Sequence, residues 1–151
     1  MAMYRIVFIC HGNICRSPAA EYIAKQEIAR RNLEGKVSVI SRAVSHEEIG
    51  NDIYPPMKSA LMEANIPYGK HHAAFLTTQE CFDANVVYYM DDGNIIRLNR
   101  FFGNHPDLFQ PIMRYDPDID EIEDPWYTGR YDLVLRQLKQ CIAHILDHLP
   151  L

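Results

Sequence analysis

Cys10 and Arg16 are the residues whose types and spacing first point to chemistry. They bracket Cys10-His11-Gly12-Asn13-Ile14-Cys15-Arg16, which runs straight into Ser17-Pro18. A cysteine attacks as its thiolate, and a guanidinium offers a planar fork that matches two oxygens of a phosphate-like anion. An apolar β-type run, Ile6-Val7-Phe8-Ile9, leads into Cys10. Ser17-Pro18 reads as a helix start, with Ser at the N-cap and Pro at the first helical position. The stretch is therefore predicted to be a tight loop from a strand end to a helix N-terminus. Inward-pointing N–H groups of such a loop, with the helix dipole behind them, make an anion site. A cysteine at its floor is favoured as thiolate. Gly12 and Asn13 both tolerate a positive φ, which a closed loop needs.

If such a thiolate attacks a phosphate ester, an acid must protonate the leaving oxygen. Two Asp-Pro pairs compete for that role, Asp116-Pro117 and Asp124-Pro125. Composition does not choose between them. Trp126 and Tyr127 follow the second pair. They either wall a slot for a flat aromatic group or pack the loop onto the sheet.

The elements that must position these groups follow from hydrophobic periodicity. Residues 4–10 read as a buried first strand. A helix follows over about 18–32, with Ala20, Ile23, Ala24 and Ile28 on one face, and Gly35 ends it or turns after it. A second strand spans 36–41, and 42–54 is a polar loop. Pro55-Pro56 opens a helix that closes at Asn65. Residues 67–76 are irregular and carry His71-His72. Thr77 and Glu80 form a capping box, with Leu76 and Cys81 as its staple. The short helix they start ends near Asn85. A third strand covers 86–90 and runs into Asp91-Asp92. Ile95, Leu98 and Phe102 make a helical face that stops at Gly103. A fourth strand is placed at 111–115, an acidic loop at 116–128, and a final helix at 131–149. Strands alternating with helices imply a parallel sheet covered on both faces. Ligands of such folds bind beyond the carboxyl ends of the strands, where Cys10, Asp91 and the loop after the fourth strand all fall.

With 151 residues, 48% hydrophobic and 23% charged, the chain has the make-up of one soluble globular domain over 1–151. A formal net charge of -5 argues against nucleic-acid binding, so the anion site must be a local positive pocket in an acidic surface. No apolar run approaches membrane-spanning length, so no membrane insertion is expected. The short apolar segment near the start gives way to His11 and Arg16, unlike a signal peptide. The four cysteines lack metal-ligand spacing and a chain of this size needs no disulfide framework. The expectations are no metal, no cofactor and a cytoplasmic location.

Val-Phe-Ile-Cys-His-Gly-Asn-Ile-Cys-Arg-Ser-Pro-Ala-Ala-Glu closely resembles the signature of the low-molecular-weight protein tyrosine phosphatases. Glu-Asp-Pro-Trp-Tyr at 123–127 resembles that family's acid loop. The resemblance covers the chain from end to end and is looser over 42–85. It implies a three-layer α/β fold with a four-stranded parallel sheet in the order 2-1-3-4 and the phosphate loop, His11 to Arg16, at the end of strand 1. It also implies hydrolysis of phosphotyrosine through a phosphocysteine, with Cys10 as nucleophile, Arg16 as clamp and Asp124 as acid and base. Asp116 is then a turn aspartate before a stiffening proline. Asn13, Ser17, Ser41 and His71 match the polar groups that brace the loop, with His72 as a rival to His71. Ser17 would donate to the thiolate. Cys15 is either a filler or a guard that forms a reversible disulfide with Cys10. Cys81 and Cys141 read as core.

Trp126 and Tyr127 would wall the substrate. Where many family members carry another aromatic, this chain has Glu47 within His46-Glu47-Glu48, a stretch that would repel acidic phosphopeptides, and Tyr54 could serve instead. The expected partners are a phosphotyrosine protein or small aryl phosphate, and inorganic phosphate. The protein itself is expected to be monomeric or weakly self-associating. Three alternatives compete. An arginine phosphatase of this scaffold places Thr where this chain has Ile14. A thiol-dependent arsenate reductase needs resolving cysteines near the loop, and only Cys81 is near the right region. A non-catalytic phosphate binder needs neither Cys10 nor an acid loop.

Overall fold

A computed structural model describes residues 3–151. β1 (Tyr4–Cys10) is apolar from Ile6 onward because it runs through the middle of the sheet and is buried on both faces. It pairs in parallel with β2 (Val37–Ala43) on one side and β3 (Val86–Tyr89) on the other. β3 pairs in parallel with β4 (Phe109–Pro111), which gives the order β2-β1-β3-β4. The period-2 alternation of β1 divides the interior. Ile6, Phe8 and Cys10 join the larger core, while Val7 and Ile9 join the smaller.

Helices α1 (Arg16–Arg30), α2 (Pro55–Glu63) and α6 (Tyr131–Asp147) cover the first face through Ile23, Met57, Leu61, Val134 and Leu138. Helices α3 (Thr78–Asp83) and α4 (Asp92–Phe102) cover the second through Cys81 and Leu98. The expected three layers and strand order are thus present. From β1 the chain goes to β2 on one side and then to β3 on the other. The crevice between β1 and β3 is therefore the switch point, and Cys10 sits at its carboxyl end.

Several boundaries differ from the sequence reading: β2 runs on to Ala43 in register with Cys10, α2 closes at Glu63, α6 ends at Asp147, and three others have a local reason. α1 begins at Arg16 and its N-cap is Cys15, with no side-chain cap. Ser17 lies inside the first turn, where it is free to bond elsewhere. Pro18 is also within that turn, whose N–H groups have no intrahelical acceptor to lose. The helix ends at Arg30 because Asn32 takes the left-handed conformation, φ 58°, and Leu33 N–H reaches back to the Ile28 carbonyl at 2.9 Å. Gly35, φ 83°, only turns the chain into β2.

The fourth strand lies at 109–111 and not at 111–115. Pro111 has no N–H to extend the ladder. Beyond it the chain turns twice, Arg114 N–H onto the Pro111 carbonyl at 3.1 Å and Asp116 N–H onto Met113 at 2.8 Å. The capping box does form. Thr77 Oγ1 accepts from Glu80 N–H at 3.0 Å and Glu80 accepts from Thr77 N–H at 3.1 Å. Burial works against the Glu80 charge, but Arg42 and Thr77 outweigh it and hold its carboxyl below the usual carboxylate range. A one-turn helix, α5 (Pro125–Thr128), was not expected inside the acidic loop.

Candidate active site

The segment from His11 to Cys15 closes between β1 and α1. Its left-handed position falls on Asn13, φ 61°, and not on Gly12. Gly12 is instead crowded by a neighbouring side chain. A Cβ there would stand 3.3 Å from Glu48 Cγ, whose stem closes over the loop. Among the described residues, the backbone N–H groups of residues 11–15 make no hydrogen bond to a protein acceptor. Donors left unpaired in a loop before a helix N-terminus are the elements of an anion cradle.

Asn13 is the brace. Its side-chain N–H groups donate to Ser17 Oγ at 2.8 Å and to Ser41 Oγ at 3.0 Å, and its Oδ1 accepts from Ala74 N–H at 3.1 Å. All three polar directions of a buried amide are therefore used. His71 Nε2 donates to the Asn13 carbonyl at 2.6 Å. His72 is exposed and lies 3.5 Å from the Gly50 carbonyl, so His71 is the histidine against the loop. Ser41 falls in step with Val37 and Val39, on the face that α1 covers, and donates to Glu21 Oε1 at 2.7 Å. Glu21 was missed in the sequence. Its signal was only its place one turn after Ser17 on α1.

Ser17 Oγ is 3.0 Å from Cys10 Sγ. That oxygen also accepts from Asn13, its own proton can donate to the sulfur, and Ser17 N–H lies 3.4 Å from the same sulfur. Two donors of one residue, its hydroxyl and its N–H, are thus within reach of the sulfur. Cys15, in the same loop, differs. Burial first, then the Cys10 and Asp124 charges, push its thiol far up, so Cys15 stays protonated. Of the two loop cysteines, Cys10 is the one that the Ser17 donors approach and Cys15 the one whose thiol burial holds up.

Arg16 is buried and held by Asp91 Oδ2 at 2.7 Å and the Ile122 carbonyl at 2.8 Å, both on Nη1. Burial works against its charge, and Cys10, Asp91 and Asp124 outweigh it, so the guanidinium stays charged. Asp91 is the second residue the sequence left without a role. It sits at the carboxyl end of β3, and its other oxygen caps α4 by accepting from Asn94 N–H at 3.0 Å. One carboxylate thus ties the orientation of Arg16 to a helix start. Asp124 Oδ2 lies 3.7 Å from Arg16 Nη2, and its Oδ1 caps α5 by accepting from Trp126 N–H at 3.0 Å.

One pocket gathers Cys10, the loop, Arg16 and Asp124. Its mouth is lined by Ile14, Trp126, Tyr127, Glu47 and Glu48. Trp126 is 51% exposed and Tyr127 84%, so these rings do not pack the loop onto the sheet. Tyr54 is not part of the pocket wall. Its ring stands 4.5 Å from that of Trp126 and supports it. Glu47 Oε2 pairs with His11 Nε2 at 2.9 Å.

Asp116 lies elsewhere. It is 2% exposed, and Oδ1 accepts from Gln140 and His144 on α6, each at 2.7 Å. The sequence placed it in a turn, which it does close, but not beneath a helix that begins fifteen residues later. Cys81 and Cys141 belong to cores on opposite faces of the sheet, and burial raises them to about 11 and about 12. Among the described residues no cluster of His, Cys, Asp and Glu could hold a metal ion, and no helix is long and apolar enough to cross a membrane.

The sequence matches the family described as low molecular weight phosphotyrosine protein phosphatase over residues 5–150. It is 31% identical over 147 residues to the low molecular weight protein-tyrosine-phosphatase YfkJ of Bacillus subtilis, covering 95% of this chain and 94% of that one. The corresponding PtpA of Staphylococcus aureus is 30% identical over 149 residues, covering 95% of each. The crystal structure of YfkJ superposes with a TM-score of 0.92, across 97% of this chain and 94% of that one, at 29% identity. YwlE of Bacillus subtilis, described as an arginine phosphatase, superposes with a TM-score of 0.84, across 96% of this chain and 95% of that one, at 25% identity.

Proposed function

Because the chain belongs to the low molecular weight phosphotyrosine protein phosphatase family, we propose that it hydrolyses phosphotyrosine monoesters through a phosphocysteine on Cys10. The observation that carries this reading is the convergence of Cys10, Arg16 and Asp124 on one pocket. The phosphate sits on the N–H groups of residues 11–15 and on the Arg16 fork. Cys10 Sγ attacks phosphorus in line, the P–O bond to the aryl group breaks, and Asp124 delivers its proton to the leaving oxygen. Water then attacks the phosphocysteine, Asp124 takes its proton, and the sulfur leaves as thiolate. Ser17 stabilises that sulfur at both ends of the cycle, and Asp91 keeps Arg16 aimed as charge develops on the equatorial oxygens. Asn13, Ser41 and His71 hold the loop in its binding shape. Trp126 and Tyr127 flank the aryl ring, with Tyr54 behind Trp126.

An arginine phosphatase is the second reading, motivated by the likeness to YwlE. Ile14 lines the pocket and would press an apolar β-branched side chain against a planar guanidinium, so the aryl ester is favoured. An arsenate reductase relay would need resolving thiols on a mobile segment near the loop, beyond Cys15 of the loop itself, and Cys81 and Cys141 are buried in separate cores. A binder without turnover has no use for Asp124 beside Arg16. The substrate is then a phosphotyrosine protein or small aryl phosphate, with inorganic phosphate as product. All the groups named come from one chain, so a monomer over 1–151 suffices. A cytoplasmic setting would keep the Cys10 thiolate reduced. The test is turnover of phenyl phosphate and of phosphoarginine side by side, in chelator. Metal-independent hydrolysis of the aryl ester at the higher kcat/KM is expected. Loss of activity that added metal restores, or preference for phosphoarginine, overturns the reading.

Cys15 is proposed to guard the nucleophile. Peroxide converts Cys10 to the sulfenic acid, and Cys15 sulfur displaces water to form the disulfide. The Cys10 charge, which adds to burial in holding the Cys15 thiol up, disappears on that oxidation. Mild peroxide followed by peptide mass spectrometry should find a reducible Cys10–Cys15 link. Finding only sulfinic and sulfonic Cys10 rules the guard out.

A further inference from the structure

The mouth of the pocket poses an electrostatic problem. A phosphate dianion must enter a site whose lining carries three carboxylates, Glu47, Glu48 and Asp124, against the single guanidinium of Arg16. Asp124 has its role as acid, and Glu47 has His11 at 2.9 Å. Glu48 has neither. Among the described residues its carboxylate has no cationic partner; Oε2 accepts only from Asn51 Nδ2 at 2.6 Å.

Glu48 is also built into place. Its stem lies over Gly12, at a separation that leaves no comfortable room for a Cβ. The loop that carries it is tied down by Gly50 N–H to the Ala73 carbonyl and Ala73 N–H to the Asn51 carbonyl, each at 2.8 Å. Gly50 has the positive φ, 87°, that this turn demands. A fixed, uncompensated carboxylate at the rim of a dianion pocket repels a bare phosphate ester. It attracts an ester that brings a cation of its own.

We propose that Glu48, assisted by Glu47, is a specificity determinant that selects phosphotyrosine next to a lysine or arginine. The inference rests on the tyrosine reading above and adds its substrate class. A basic side chain beside the phosphotyrosine lies along the rim while the ring enters between Trp126 and Tyr127. Its ammonium or guanidinium then meets the carboxylate that Asn51 holds in place. An acidic neighbour puts like charge against like.

The test is kcat/KM for two phosphotyrosyl peptides of equal length, one flanked by arginines and one by aspartates, with phenyl phosphate alongside. At low ionic strength the wild type should prefer the basic peptide by on the order of tenfold, with each rim carboxylate contributing up to about fivefold. The ratio should shrink in 0.5 M salt, a concentration at which the Debye length falls to roughly 4 Å. Glu48→Gln should cut the preference several-fold, and Glu48→Lys should reverse it. Since Glu48 is at the surface rim, both variants keep the fold, and turnover of phenyl phosphate by each reports that they have. Equal rates for the two peptides in a wild type active on phenyl phosphate overturn this inference alone. A preference that survives Glu48→Lys does the same. An enzyme inactive on phenyl phosphate and on both peptides overturns the tyrosine reading, and this inference with it.

Discussion

Cys10→Ser is expected to abolish turnover of any aryl phosphate while phosphate binding survives. The sulfur is the only group in the pocket placed to attack. Ser17 and its N–H at 3.0 and 3.4 Å stabilise an anionic sulfur, and Cys15 beside it is kept protonated by burial. A serine hydroxyl in place of the thiol is a far weaker nucleophile, and Asp124 is engaged in giving its proton to the leaving oxygen in that step. Removing the nucleophile of a cooperating set costs roughly 10⁶ in kcat. Binding depends on other groups, the N–H donors of residues 11–15 and the Arg16 fork, none of which the substitution alters. Steady-state assay should therefore show no turnover above background, and calorimetry with inorganic phosphate should show a Kd within a few-fold of wild type. Turnover within tenfold of wild type would place the nucleophile elsewhere.

Asp124→Asn is the second large effect, and its signature is selective. A general acid contributes roughly 10²–10⁴ in rate, and most when the leaving group is poor. kcat should fall by about that factor with phenyl phosphate or a phosphotyrosyl peptide, and far less with a nitrophenyl ester whose oxygen leaves unaided. Asparagine can still cap α5, so the loop keeps its shape and the loss is one of proton transfer. Asp116 provides the contrast. It lies under α6 with His144 and Gln140 on one oxygen, outside the pocket. Asp116→Asn weakens a buried charge-assisted bond and should cost about 1–3 kcal/mol of stability. Thermal melting reads that loss, and the kcat ratio between the two esters should stay as in wild type. If Asp116→Asn shows the leaving-group dependence and Asp124→Asn does not, the acid is misplaced, together with the aromatic wall beside it.

The sequence carried the parts of this protein that local physics controls. The apolar run before Cys10, the alternation of strands with helices, and the Thr77–Glu80 box each follow from residues a few positions apart. Period and capping were enough to read them. The stretch from Cys10 to Arg16 was legible for the same reason: nucleophile, clamp and cradle are contiguous. Asp124 could be chosen over Asp116 only through likeness to a family, because both are aspartates before proline.

What the tertiary structure decided is how distant side chains divide their hydrogen bonds. Ser17 looks like an N-cap, yet its hydroxyl lies inside the first turn between Asn13 and the Cys10 sulfur. Asp91, which the sequence left without a role, caps α4 with one oxygen and with the other orients a guanidinium seventy-five positions away in the chain. Glu21 meets Ser41, and His71 meets Asn13, across loops whose paths no periodicity describes. Gly12 was read as a residue needed for its φ. Its φ is not positive, and what bears on it is Glu48, from another segment, which lies against it. A polar side chain carries more bonding capacity than its neighbours in sequence can use. The sequence therefore determined which groups were available, and only the packing of β1, β2, β3 and α1 into one crevice decided which of them meet.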